Sequence, residues 1–357
     1  MRKRESVKSL TVRYRGEEHP VFAEAESSAP EAHEVQIAVD YVGICGTDLH
    51  ILDGAMDHRT GGDRVLGHEM SGRIASIGSQ VTGWYVGDRV TVMPLEWCGT
   101  CPACVRGHRH LCHALRFLGI DAHGAMQSYW NVDSRILVGL PAQLNARHAA
   151  LVEPTAVAFH DVGRAELRPG DQVCVVGAGP VGVLVALVAR RAGAHVTILE
   201  PNAFRRGVAE GLEFRAFDPG NAESLATLKS WNEGAGFDVA FEVSGSAAGV
   251  DLAVDALAVR GRLILVGIHT STRDIDLFRV FWRELSISGA RLYDMTDFLA
   301  AIDFLVEPGF PADALISRVV GIDHPAEAFD ALRDGSEVMK VLIDCRATDR
   351  PRTGGAG

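Results

Sequence analysis

Apolar and polar positions alternate along the first ~155 residues in short runs broken by Gly, Asp and Pro, a pattern of strands rather than helices. The spacing predicts strands in "EVQIAVDYVGI" (34–44), "MSGRIASIGS" (70–79), "DRVTVMP" (88–94) and "AMQSYWNV" (125–132). This part is expected to be mostly β, of barrel type. Near residue 150 the period changes, and "LNARHAALVEPTAVAFHDVGRAEL" carries helical apolar spacing. A continuous apolar strand (172–176) then leads through a Gly-rich turn into a helix (about 180–192) and a second strand (195–200). Strands this apolar are buried on both faces, which fits a parallel sheet. The alternation continues through "FRAFD", a helix near 222–231, "FDVAFEVSG", a helix near 247–259, "GRLILVGIH" and "LSISGA". That makes about six strands, the size of a complete doubly wound sheet.

After residue 300 come helices in "MTDFLAAIDFLVE" and "PAEAFDALRDG" and strands in "ISRVVGID" and "MKVLIDC". These strands lack helical partners for another sheet and are expected to rejoin the N-terminal part. The expected division is therefore residues 1–158 and 301–357 in one domain and 159–300 in the other, with 347–357 a frayed, Gly-rich tail.

Composition narrows the function. A chain of 357 residues exceeds one ordinary core. No run of about 18 apolar residues is present, so no membrane span is expected. The basic start "MRKRESVKSL" lacks the apolar stretch of a secretory signal. A formal net charge of −11 is the opposite of a nucleic-acid binder's basic excess and points to small-molecule chemistry. Four of the seven cysteines crowd into residues 98–112, while Cys45, Cys174 and Cys345 are scattered. A disulfide framework would spread them, so the cluster fits metal thiolates in a reducing cytoplasm. Cys174 and Cys345 fall in apolar strands and are expected to be core.

Three constellations carry chemistry. Gly177, Gly179 and Gly182 follow a predicted strand and open a predicted helix, the context a dinucleotide-binding turn needs. Gly177 makes the tight turn, Gly179 admits the pyrophosphate to the backbone, and Gly182 lets helix and strand pack closely. The helix start offers free N–H groups to phosphate. Glu200, at the end of the second strand, can accept from the ribose hydroxyls and favours NAD over NADP, although Arg205 and Arg206 lie close behind it. In the second constellation Cys98, Cys101, Cys104 and Cys112 are separated by two, two and seven residues. That spacing fits either a metal knuckle or an iron–sulfur site. A ferredoxin-type iron–sulfur run begins the same way, but its last cysteine comes sooner and precedes Pro, whereas His113 follows Cys112. The third draws on "GICGTDLH", "GHE" and "LVEP", which supply Cys45, Thr47, Asp48, His50, His68, Glu69 and Glu153. Cysteine, histidine and carboxylate together suit a catalytic Zn²⁺. Asp48 is expected to cap a helix rather than do chemistry. His68 and Glu69 are adjacent, and a regular strand would aim them at opposite faces, so either a turn brings both inward or one of them stands behind the metal rather than on it.

With these motifs in this order, the chain resembles the zinc-dependent medium-chain dehydrogenases of the alcohol dehydrogenase superfamily. "GTDLH" and "VEPTAVAFH" are most similar to the sorbitol, butanediol and threonine dehydrogenase branch. The resemblance implies a GroES-like catalytic domain with a structural zinc lobe (96–113) and a Rossmann domain, with two zinc ions per chain and NAD. It implies that Cys98, Cys101, Cys104 and Cys112 hold the structural zinc. Cys45 and His68 would bind the catalytic zinc, with Glu69 and Glu153 completing or approaching its sphere. Thr47 would hydrogen-bond the substrate oxygen and pass its proton towards a ribose hydroxyl and His50, which can release it to solvent. Pro180, Val181, Arg205, Val266 and Gly267 join the three glycines and Glu200 as the implied cofactor-binding set. The implied activity is oxidation of a secondary alcohol (a polyol, sugar, cyclitol, diol or threonine-like compound) to a ketone by hydride transfer. Two alternatives are an NADPH-linked carbonyl reductase on the same scaffold and a non-catalytic nucleotide-binding protein. The resemblance also implies a homodimer or homotetramer joined through the sheet edge near "LILVGI".

Overall fold

The computed structural model describes residues 7–335 and 337–346. The expected tail 347–357 lies outside the described residues. The chain divides into two compact units, Met1–Glu153 with Ile302–Gly335 and Lys340–Gly357, and Pro154–Ala301 with Ser336–Met339.

The first unit is β-rich. Its N-terminal segment supplies β1 (Val7–Tyr14), β2 (Val21–Ser27), β3 (Glu34–Gly43), β4 (Arg64–Val65), β5 (Glu69–Ile77), β6 (Arg89–Val92), β7 (Leu95–Glu96), β8 (Arg116–Phe117), β9 (Tyr129–Asp133) and β10 (Leu137–Gly139). β2, β1 and β4 form a small sheet, and β7 and β8 pair at the base of the cysteine lobe. Two strands thus precede the first one the pattern predicts. β2 reads "VFAEAES", whose Ala and Glu carry weak strand propensity, and its half-exposed face hides the signal. The strand expected at 125–132 begins only at Tyr129. The residues before it are held by single backbone bonds, Met126 N to Leu66 O and Met126 O from Val12 N, both 2.8 Å.

The second unit holds β11 (Gln172–Val176), β12 (His195–Leu199), β13 (Arg215–Phe217), β14 (Phe237–Glu242), β15 (Leu257–Leu265) and β16 (Ser286–Gly289). They form one parallel sheet in the order β13-β12-β11-β14-β15-β16. Val173, Cys174 and Val175 are fully buried, as the unbroken apolar run requires. Burying each such side chain contributes roughly 1.5–3 kcal/mol. Two helices end earlier than the pattern indicates. Ala222–Lys229 stops before a short 3₁₀ turn in which Asn232 and Glu233 have positive φ, a conformation no α-helix continues through. Ala247–Ala256 gives way to β15 four residues before Gly261, where "LAVRG" reads equally as helix or strand. The first three residues of "LILVGI" close the interior strand β15 and the rest follow it, and the free edge is β16, one strand further out.

The last two strands, β17 (Ile316–Gly321) and β18 (Lys340–Asp344), return to the first unit. β18 pairs antiparallel with β3, completing a seven-stranded sheet in the order β10-β6-β5-β3-β18-β17, with β9 also on β3. Its register sets Leu342 opposite Gly43, and Gly43 in turn lies opposite Glu69 on β5. The ends of three strands therefore meet where the candidate metal ligands are carried.

Candidate metal and dinucleotide sites

Cys45 follows β3 after one residue, Ile44, and caps the helix Gly46–Leu52. Asp48 closes that cap: its Oδ2 accepts from Cys45 N at 2.9 Å, while its Oδ1 accepts from Gly67 N at 3.3 Å. One buried carboxylate thus ties together the two turns that carry the ligands. Gly67 has φ of +87°, so the chain turns sharply just before His68, and Glu69 opens β5. That turn removes the strand alternation and lets both side chains face inward.

The donor atoms of Cys45, His68 and Glu69 lie within 4.8 Å of one another. His68 and Glu69 are buried, and the ring of Phe117 meets the His68 imidazole edge-on with centroids 5.0 Å apart. His68 Nδ1 and Glu69 Oε2 are buried with no hydrogen-bond partner among the described residues. Burial works against a charge on His68, yet Cys45, Asp48 and Glu153 around it raise its pKa to about 10. A pocket with three convergent donors, an orphaned oxygen and a field this favourable to positive charge fits a zinc ion with an open position.

Glu153 stands in the first turn of the helix Val152–Ala165 and is buried. It is outside the three-donor group, and its charge acts on His68 and on Lys340. Thr47 and His50 share the helix that Cys45 caps, one turn apart and hence on one face. Lys340 is the residue that sequence reasoning missed. Its Nζ donates to Glu69 Oε1 at 2.7 Å and to Ile44 O at 3.0 Å, and it is buried. Burial lowers its pKa, but Glu69 and Cys45 outweigh burial and hold it above the usual lysine value. A lone Lys opening an otherwise apolar strand was the available signal.

The four lobe sulfurs also lie within 4.8 Å of one another. Backbone N–H groups point at them: Cys101 N donates to Cys98 Sγ at 3.3 Å, Cys98 N to Cys112 Sγ at 3.3 Å and His113 N to Cys101 Sγ at 3.5 Å. Donation from Thr100 and Cys101 lowers the Cys98 pKa to about 6, whereas burial raises Cys104 to about 12. Four thiols with amide donors around them fit a closed structural zinc site.

In the second unit Gly177 has φ of +105°, and a Cβ on Gly182 would lie 2.0 Å from Gly177 O. A Cβ on Gly179 would meet nothing within 4 Å, so the open side of the turn is where a phosphate can approach. Gly179 caps the helix Pro180–Arg191, with Pro180 at its first position. Glu200 is buried at the end of β12, and its two oxygens already accept from Ala178 N (2.7 Å) and Asn202 N (2.8 Å). It therefore braces the glycine turn, leaving its remaining lone pairs for a ribose. Arg206 Nη1 donates to Glu200 O and Pro201 O at 2.9 and 2.7 Å. Val266 N and Gly267 N donate to Glu242 O, both at 2.9 Å. The Glu242 carboxylate accepts from Ser244 N, Gly245 N and His269 Nε2 at 2.9–3.0 Å. This buried acid tying two loops at the carboxyl ends of β14 and β15 was not foreseen either.

A parallel sheet with a glycine turn for a dinucleotide in one unit, and a three-donor metal pocket with a closed thiolate site in the other, define a metal-dependent, nicotinamide-linked dehydrogenase. Residues 31–142 match the alcohol dehydrogenase GroES-like domain and residues 180–307 the zinc-binding dehydrogenase domain. The chain is 42% identical over 338 residues to a 2-dehydro-3-deoxy-L-galactonate 5-dehydrogenase of Pseudoalteromonas atlantica, covering 95% of this chain and 99% of that one. It is 30% identical to a sorbitol dehydrogenase of Halalkalibacterium halodurans, over 94% of this chain and 99% of the relative. The structure of 2R,3R-butanediol dehydrogenase from Bacillus subtilis superposes with a TM-score of 0.86 at 29% identity, over 94% of this chain and 99% of that chain. The protein belongs to the zinc-dependent medium-chain dehydrogenase family. It is an enzyme that oxidises a secondary alcohol, which sets aside the non-catalytic alternative. No helix among the described residues is long and apolar enough to cross a membrane.

Proposed function

We propose that the protein oxidises the secondary alcohol of a sugar acid, of the 2-keto-3-deoxy class, to a ketone with NAD as hydride acceptor. The observation that carries this reading is the 42% identity, end to end, to the galactonate 5-dehydrogenase. A zinc ion held by Cys45, His68 and Glu69 would supply Lewis acidity to the alcohol oxygen, and the nicotinamide would take the hydride. Thr47 would take the hydroxyl proton while passing its own towards a ribose hydroxyl of the nucleotide and His50, one turn along the same helix, which releases a proton to solvent. Glu153 adds negative charge beside His68. Cys98, Cys101, Cys104 and Cys112 would hold a second zinc, which would brace the lobe. NAD is favoured over NADP because Glu200 is an acid where an added phosphate would sit, and Arg206 is committed to backbone carbonyls.

The free cysteines suit a reducing compartment, and we place the protein in the cytoplasm. Leu277, Phe278, Phe281 and Trp282, each about 70% exposed, lie in the short helix that precedes the edge strand β16 in the chain, with its half-open Ile287. An apolar patch of that kind supports self-association of two copies through this edge, with a tetramer as a further step.

The test is a panel of 2-dehydro-3-deoxy-L-galactonate, sorbitol, 2,3-butanediol and threonine with NAD or NADP, followed at 340 nm. The expected result is NAD reduction with the sugar acid at a kcat/KM at least tenfold above the others. Turnover of sorbitol, butanediol or threonine in its place would reject the substrate, and faster reaction with NADP would reject the cofactor.

A further inference from the structure

Lys340 has no place in the reaction as derived above, yet it is among the most buried charged groups of the chain. Taking an ammonium out of water costs several kcal/mol, and a buried ion pair seldom stabilises a fold more than apolar residues of the same volume would. Its retention therefore calls for something the pair does to Glu69. The register explains how the pair forms. Lys340 lies two positions before Leu342, the partner of Gly43, and Gly43 is the partner of Glu69. The three residues lie across adjacent strands β18, β3 and β5. Gly43 has no side chain, and a Cβ there would lie 2.1 Å from Glu69 Oε2. The carboxylate thus lies over the glycine, with Oε1 on the lysine and Oε2 unpartnered.

We propose that Lys340 is a positioning residue for the metal: by holding Glu69 Oε1 and the Ile44 carbonyl, it leaves Oε2 as the single oxygen offered to the ion and fixes the spacing of the two ligand-bearing turns. Ile44 directly precedes Cys45, so one ammonium braces both Cys45 and Glu69. A carboxylate with one oxygen engaged elsewhere cannot chelate through both, and one coordination position stays open for substrate. This inference rests on the zinc reading of Cys45, His68 and Glu69.

The test compares wild type, Lys340→Met and Lys340→Arg as full-length protein, with circular dichroism as the check on folding. Zinc affinity at the three-donor site is measured by chelator competition, with the four-cysteine zinc as an internal control. Coordination is read from the visible spectrum after cobalt(II) replaces zinc. Lys340→Met is expected to weaken zinc at this site by about 10–100-fold, as loss of outer partners of metal ligands does. It should also change the cobalt band, leave the lobe zinc in place, and be rescued towards wild type by Lys340→Arg. A folded Lys340→Met protein with wild-type chelator competition and cobalt spectrum overturns the proposal while leaving the zinc reading intact. A wild-type protein that takes up metal only at the lobe, unaffected by Cys45→Ser, overturns both. If Lys340→Met does not fold, Lys340→Gln, which keeps a donor without the charge, is read against the same two outcomes.

Discussion

At the scale of single residues, buried acids do several different jobs in this chain. Asp48 and Glu242 are fully buried and accept hydrogen bonds from backbone amides, so each fixes a loop. Glu200 does the same for the glycine turn. Replacing it with Ser would strip two amides of their acceptor, each costing roughly 1–3 kcal/mol when left buried. Glu200→Ser is therefore expected to lower thermal stability and weaken NAD binding together, with any gain in NADP use on top. Calorimetric melts and nucleotide titration of one preparation check this, and unchanged stability would show that the carboxylate does not brace the turn. Asp161 is different. It is fully buried, and neither oxygen has a hydrogen-bond partner among the described residues. Burial, with the nearby Asp297 charge, raises its pKa well above the ordinary 3.8. The native state thus holds a proton that the unfolded chain releases above that value, so stability falls as pH rises from about 4 through the raised native pKa. Asp161→Asn removes this dependence. It should melt higher than wild type at pH 7, by roughly 2–4 °C if the gain is about 1 kcal/mol, with the gap closing towards pH 4. A gap independent of pH would contradict the assignment.

At the scale of elements, the dinucleotide turn is closely packed. The helix Pro180–Arg191 crosses β11 where Gly182 meets Gly177 O, and no side chain fits there. Gly182→Ala must push helix and strand apart. A loss of NAD affinity of at least tenfold is expected by fluorescence titration, with zinc content unchanged because the metal ligands lie in the other unit; wild-type affinity would show that the contact gives freely. This element was legible in the sequence because all its determinants are local: an apolar strand, three glycines and a helix within about twenty residues. The need for a departure from regular strand at His68 and Glu69 was legible for the same reason, but the choice between an inward turn and a residue standing behind the metal was not, because it depends on the Gly67 turn and its tie to Asp48. β2 escaped notice because Ala and Glu dilute its alternation, and the start of β15 because "LAVRG" suits either period. Lys340 escaped because its partner is 271 residues away, and only the pairing of β18 with β3 brings the two together.

At the scale of the whole molecule, each unit carries one of the two candidate sites. The β-rich unit gathers the donors from the ends of β3 and β5, braced by β18, while the parallel sheet offers its glycine turn to the nucleotide. The exposed aromatic ridge of Phe278, Phe281 and Trp282 in the helix preceding β16 belongs to this scale too. Phe281→Asp with Trp282→Asp is expected to shift the protein to a smaller species in sedimentation; the same mass for both would remove that edge as the contact.

The central claim is that Cys45, His68 and Glu69 hold the zinc on which alcohol oxidation depends. It is tested most directly by measuring zinc content and NAD reduction on one sample of wild type and one of Cys45→Ser. About two zinc ions per chain with turnover in the wild type, and about one without turnover in the folded variant, are the predicted results. A folded Cys45→Ser protein that keeps both its zinc and its rate would contradict the account.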